Sequence, residues 1–345
     1  MKAVRLHAYG GIDNLHYEET DDPQLKSSHD AIVRLKAASV NHHDVSVRRG
    51  IGPAAAHLPH ILGSDGAGTI AEIGAEVSNV SPGDAVCLYP ASSCRRCEFC
   101  NAQREHLCSQ RRLLGERDNG TYAEYVRVPA SNCYPMPQGL SFEEAAAFPL
   151  VYTTAWRMLI NDAQLKPGES VLILGIGGGI ATAAFQIAAS IGAHIIVTSS
   201  SEDKLAMANK LGAEHGINYQ TADVAKEVRN LTDKRGVDVV VDCVGGDGWV
   251  KSFAALAKGG RLVTCGATAG ASPQTDLRRV FWNHLRVFGS MVVTREEFRQ
   301  VLDLMAVART KPILDQIFSL KDTASAHQRM EAGQQFGKMV LSMDG

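Results

Sequence analysis

Four cysteines fall within one short run, CRRCEFCNAQREHLC, as Cys94, Cys97, Cys100 and Cys108. The spacing C-x2-C-x2-C-x7-C lets four thiolates close a tetrahedral Zn²⁺ shell. A shell with no open position can neither activate water nor polarise a carbonyl. The quartet therefore predicts one structural zinc per chain and argues for no catalytic one. A second stretch able to do chemistry is GIGGGIATAAFQIAASIGA. Gly175, Gly177, Gly178 and Gly179 let the backbone turn sharply against a pyrophosphate, and the helix that follows points free N–H groups at it. Strict G-x-G-x-x-G fails, because Ile180 or Thr182 takes the last position. The looser G-x-x-G-G-x-A fits, with Ala181 as the small residue.

These residues need elements to hold them. Residues 1 to about 135 read as short strands between turns, for example 31–39, 66–74 and 84–90. From about 165 to 290 the pattern alternates. Strands are expected at 171–174, 194–198, 238–242, 261–265 and 285–288, with helices at 180–191, 202–211, 221–231 and 247–257. Such alternation implies an α/β fold with a doubly wound parallel sheet covered on both faces. The terminal GKMVLSM reads as a strand that returns to the first domain.

The glycine loop opens the first of these strand–helix units, which makes it a dinucleotide site. A NAD site wants a carboxylate where the second strand ends. Here that stretch is TSSSEDKL: Ser199, Ser200 and Ser201, with Lys204 one turn into the helix. Hydroxyls plus a lysine suit a 2′-phosphate, so NADP(H) is expected. Gly266 and Ser290 end later strands at the carboxyl edge, where a dinucleotide lies.

With the segment LPHILGSDGAGTI and the terminal GKMVL, these motifs resemble the medium-chain dehydrogenase/reductase superfamily over nearly the whole chain. The resemblance implies a β-rich GroES-like catalytic domain from residues 1–151 and 291–345, with the zinc lobe at about 90–115. It implies a Rossmann coenzyme domain over 152–290. It places Thr154 and Lys338 along the coenzyme and Tyr219 near the 2′-phosphate. Zinc alcohol dehydrogenases of this superfamily hold a catalytic zinc with a cysteine, the histidine of G-H-E and a third ligand. The matching positions here are Asn41, Ser64 in Gly63-Ser64-Asp65, and Leu150. An amide, a hydroxyl and an alkyl chain are poor zinc donors. The pattern Asn41, Asp44, Arg48 is similar to the zinc-independent quinone and enoyl reductases.

Without a Lewis acid, hydride transfer to a conjugated C=C or a quinone is easier than reduction of a simple ketone, because hydrogen-bond donors can hold the enolate or quinol oxygen. Asn41 is a candidate donor, and His43 and Tyr152 are candidate proton sources. His43, His60 and Asp65 could instead form a displaced metal site, which would make the chain an alcohol dehydrogenase or aldehyde reductase. A third reading is a nucleotide-bound binding or regulatory protein. The lobe's Arg95, Arg96, Arg104, Arg111, Arg112 and Arg117 could touch RNA, but a net charge of −2 disfavours nucleic acid. The start MKAVRLHAYGG has no apolar signal core and no run spans a bilayer, so no export and no membrane partner are expected. Eight cysteines without a framework pattern suit a reducing, cytoplasmic setting. The partner expected is a small-molecule substrate, shaped by loops 41–62 and 266–285. A homodimer or homotetramer is expected through an edge strand at 285–293.

Overall fold

The computed structural model describes residues 1–51, 57–291, 294–307 and 310–344. Residues 52–56 of the expected substrate loop and 292–293 of the expected edge strand lie outside the described residues. The chain divides into two compact units, Met1–Leu150 with Val292–Gly345, and Val151–Met291.

The first unit is built on a seven-stranded sheet. Its strands run in the order Cys133–Pro135, Ala85–Leu88, Asp65–Ile73, Asp30–Ser39, Lys338–Ser342 and Leu314–Ser319, and Tyr125–Pro129 also pairs with Asp30–Ser39. The strand Asp30–Ser39 is buried on both faces. Ala31, Val33 and Leu35 enter one apolar cluster with Ile70, Val86 and Val126, while Ala38 enters another with Leu62, Tyr122 and Met339. This explains why AIVRLKAAS shows little polar alternation. The register against Asp65–Ile73 shifts between Leu35 and Ala37. At that irregularity Gly68 leaves no room for a side chain, since a Cβ there would fall 2.1 Å from the Arg34 carbonyl oxygen. The terminal strand pairs antiparallel with the end of Asp30–Ser39, Val340 opposite Ser39. That register brings Lys338, at the strand's first position, close to residues 40 and 41.

The second unit is a six-stranded parallel sheet. Numbered by position in the chain its strands lie in the order 3-2-1-4-5-6: His215–Asn218, His194–Ser199, Ser170–Ile173, Val237–Asp242, Leu256–Thr264 and Arg286–Gly289. Sequence reasoning expected five strands. The missed one, HGIN, has no apolar run, because Gly216 sits against Leu205 and only Ile217 is buried. The expected helix at 247–257 also ends early, at Ala255, and the fifth strand begins at Leu256 rather than 261. The helix Gly179–Ile191 stops on Gly192, whose φ of 82° is left-handed. No helix among the described residues is long and apolar enough to cross a membrane.

Candidate functional site

In the first unit the helix His42–Arg48 starts at Asn41, whose backbone N–H donates to Asp44 Oδ2 at 2.8 Å. The Asn41 side chain is gripped at both ends. Its Nδ2 donates to Asp65 Oδ2 at 2.9 Å, and its Oδ1 accepts from Lys338 Nζ, which also donates to the Val40 carbonyl at 2.9 Å. Asp65 accepts further from Ser39 Oγ at 3.1 Å and the Leu150 backbone N–H at 2.9 Å, with Lys338 Nζ 3.5 Å away. Asp65 is fully buried and Lys338 is 3% exposed. Burial pulls the Lys338 ammonium down from its ordinary range, against the opposing pull of Asp65 and Asp44.

A second chain of bonds ends on Asp44. Tyr122 Oη donates to its Oδ2 at 2.8 Å, Ser64 Oγ lies 3.4 Å from its Oδ1, and Tyr122 Oη lies 3.3 Å from His327 Nε2. Desolvation raises the Asp44 carboxyl. Burial, then the charge of Arg48, lowers His327 to about 3, so its imidazole is neutral. Arg48, itself buried, reaches Glu331 at 2.5 Å. Neither Tyr122, His327 nor Glu331 was visible in the sequence, where Tyr122 sits in an ordinary strand-like alternation.

At the positions of the three expected zinc ligands, Asn41 is committed to Asp65 and Lys338, Ser64 faces Asp44, and Leu150 contributes its backbone N–H. The displaced metal site is not assembled either. His60 is buried and bonded to the Gly115 carbonyl at 3.0 Å, and burial lowers its imidazole. Among the described residues the one group of three or more His, Cys, Asp or Glu able to hold a metal is the cysteine quartet. His43 is half-buried, and its Nε2 has no hydrogen-bond partner. An Asn NH₂ carries two hydrogens. With one given to Asp65, Asn41 retains one for a further acceptor.

Two of the expected site residues have their polar groups engaged within their own units. Tyr152, a candidate proton source, is 1% exposed and donates its hydroxyl to Gln186 Oε1. Lys338, expected along the coenzyme, has its ammonium bonded inside the first unit to the Val40 carbonyl and Asn41 Oδ1, with Asp65 Oδ2 3.5 Å away.

The quartet's sulfurs fit a metal. Cys97–Cys100 and Cys94–Cys108 are 3.5 Å apart and Cys94–Cys100 is 3.9 Å. A tetrahedron with Zn–S of about 2.3 Å has edges of about 3.8 Å. The backbone N–H groups of Arg96 and Cys97 lower the Cys94 thiol to about 6, toward the thiolate a metal needs.

In the second unit Gly175 and Gly177 take φ of 68° and 113°, which only glycine adopts without strain, and the helix Gly179–Ile191 begins with no side-chain cap. Its first N–H groups, Ile180 included, are thus left for a ligand. After the second strand, Ser199 Oγ accepts from Ser201 N–H at 3.1 Å and Ser201 Oγ from Lys204 N–H at 3.3 Å. Glu202 turns away to Asn218 at 2.5 Å, leaving no carboxylate at the strand end. Ser200 and Lys204 are half-buried there, and Tyr219 is exposed after the third strand. Gly266 is exposed after the fifth strand, and Thr154 is buried in the helix Pro149–Trp156. Ser290, just past the sixth strand, is buried with its Oγ unpartnered. This orphaned hydroxyl, the glycine turn and the open helix end fit a dinucleotide.

Known proteins agree with this architecture. The family model described as alcohol dehydrogenase GroES-like domain matches residues 27–138, and that described as zinc-binding dehydrogenase matches 179–307. A NAD-dependent alcohol dehydrogenase of Sulfolobus acidocaldarius is 33% identical over 99% of this chain and 100% of that protein. A quinone oxidoreductase of Pongo abelii is 28% identical over 99% of this chain and 97% of that protein. A crystal structure of a NAD-dependent alcohol dehydrogenase superposes with a TM-score of 0.96 at 40% identity, covering 99% of this chain and 100% of that one. The chain belongs to the medium-chain dehydrogenase/reductase superfamily of oxidoreductases.

Proposed function

We propose that the chain is an NAD(P)H-dependent reductase of a conjugated carbon–carbon double bond or a quinone, that it works without a catalytic zinc, and that NADPH is its preferred coenzyme. The observation that carries this reading is the donor set at residues 41, 64 and 150. An amide locked between Lys338 and Asp65, a hydroxyl turned to Asp44 and an alkyl side chain offer no soft or imidazole donor. When bound, a reduced nicotinamide supplies hydride. The chain's own residues manage the charge and the proton. Asn41, held rigid by a buried cation and a buried anion, presents its remaining amide hydrogen to a developing oxyanion. His43 Nε2, unpartnered in a half-buried setting, is positioned to carry a proton. NADPH is supported by the hydroxyls and Lys204 at the end of the second strand and by the absence of a carboxylate there. One Zn²⁺ on the quartet pins the lobe. The thiol-rich composition supports a cytoplasmic setting.

The relatives favour a second reading, a zinc-type alcohol dehydrogenase using NAD. One experiment separates the two. NADPH and NADH oxidation is followed across quinones, enones, enoyl-CoAs and aldehydes, with and without chelator, alongside metal analysis. The proposal expects one zinc per chain and turnover of conjugated acceptors that survives chelation. Two zincs per chain, with activity confined to aldehydes and lost on chelation, would establish the second reading instead.

A further inference from the structure

We propose that Cys243 and Cys265 form a reversible dithiol–disulfide pair that weakens coenzyme binding when oxidised; its regulatory half rests on the coenzyme reading above. The two residues directly follow the fourth and fifth strands of the parallel sheet, one position beyond the register pair Asp242–Thr264. Neighbouring strands are about 4.8 Å apart, within the Cα separations that disulfides span, and paired residues of parallel strands point to the same face. Here the Sγ atoms lie 3.3 Å apart, both thiols are free and both residues are half-buried. Only a short closing movement stands between this contact and a bond.

The place matters as much as the distance. In a 3-2-1-4-5-6 sheet the ligand crevice opens where the strand order reverses, between the first and fourth strands, at their carboxyl ends. Cys243 stands at the end of that fourth strand. Around it the loops are tightly tied. Asp242 Oδ1 accepts from the N–H groups of Val244 and Gly245, both at 2.9 Å, and Gly246 N–H donates to the Gly270 carbonyl at 3.0 Å. A Cβ at Gly266 would come within 3.2 Å of the Cys243 carbonyl oxygen. Drawing the sulfurs from contact to a bond of about 2.05 Å therefore displaces the loops that flank the crevice.

Cys265 adjoins the exposed residues 266–269 and meets an oxidant first, while Cys243 resolves it. Contact with Cys265, then burial, pushes the Cys243 thiol up, which suits a resolving partner and not the attacking thiolate. With hydrogen peroxide as oxidant the balance is simple. Both S–H bonds and the O–O bond break and one S–S bond forms. The sulfurs give up two electrons, and the peroxide takes these with both protons to leave two waters. A small thiol reverses the bond by exchange.

The test uses the full-length, reduced, zinc-loaded protein, exposed to graded hydrogen peroxide, alkylated and peptide-mapped, with zinc retention and NADPH and NADH binding measured on the same samples. The expected result is a Cys243–Cys265 linked peptide that forms while zinc is retained. It disappears with dithiothreitol and accompanies a loss of coenzyme affinity of about fivefold or more. Cys243→Ala and Cys265→Ala each remove both effects. The proposal is overturned by absence of the linked peptide, by a linked peptide with unchanged coenzyme binding, or by an affinity loss that tracks zinc release. Reduced protein that binds neither coenzyme would overturn the functional reading of this unit and the coupling with it, while the peptide map still decides the bond alone.

Discussion

Lys338 and Asp65 are a buried ion pair whose members are far apart in the chain, and the cost of separating them sets the first expectation. Replacing one partner of such a pair strands the other charge out of water, which costs about 3–5 kcal/mol. Lys338→Met is therefore expected to lower unfolding stability by about 3 kcal/mol, since Ser39, Asn41 and the Leu150 N–H still solvate Asp65. Adding Asp65→Asn should restore a good part of it. Urea unfolding of the four members of the cycle checks this, and additive losses would show that the pair is not coupled. His327 gives a pH signature. Its folded value of about 3 is depressed from 6.5, so the unfolded chain binds more protons between those values. Its stability contribution is complete above pH 6.5 and is lost as the pH falls toward 3. From pH 6 to pH 4 the wild type should lose about 2 kcal/mol more than His327→Gln; parallel stability curves for the two would refute the assignment. The site was only partly legible in sequence. Asn41, Ser64 and Leu150 could be read because a motif fixes their spacing. The partners that define their chemistry could not, because Lys338 meets Asn41 from 297 residues away and His327 meets Tyr122 from 205.

The zinc lobe is the element where local propensity is weakest. Its helix Glu98–Asn101 has four residues and its 3-10 turn Glu105–Leu107 three, far too short to persist alone. Arg95 and Gln103 both hold φ of 57°, a left-handed conformation that costs a non-glycine residue about 1–2 kcal/mol. Four metal–sulfur bonds can hold such a segment; its own backbone cannot. Cys100→Ser is expected to bring zinc below one per chain and to expose residues 90–115 to limited proteolysis, with coenzyme binding by the second unit retained. Full zinc in this variant, or an equally resistant lobe, would contradict a structural metal. At this scale the sequence was most readable. Strands such as VLIL and HIIVT announce themselves because both faces are buried and an unbroken apolar run, 171–174 or 195–197, fills them. HGIN escaped because a strand beside a helix needs only one buried side chain, and nothing local marks that.

At the scale of the whole molecule, the last strand of the parallel sheet has one open side. Arg286–Gly289 pairs only with Leu256–Thr264 among the described residues, and unpaired strand edges invite pairing with another chain. Beside it the helix Leu277–Trp282 exposes Leu277, Phe281 and Trp282, with Trp282 69% accessible, and Val287 and Met291 are exposed on the strand and just past it. An apolar surface that adjoins an open edge is costly for a monomer and useful for a two-fold pair, where each strand edge meets its own copy. A dimer through this edge is therefore expected, and the charge of a lysine is a device that blocks edge pairing. Val287→Lys should convert a dimer to a monomer in light scattering, with unfolding of each chain little changed because the position is exposed. A tetramer would be expected to fall to a dimer or monomer by the same substitution, depending on which contact closes the ring. A wild-type chain that runs as a monomer at micromolar concentration, or a Val287→Lys chain of unchanged mass, would place the interface elsewhere and leave the exposed Phe281–Trp282 pair in need of another partner.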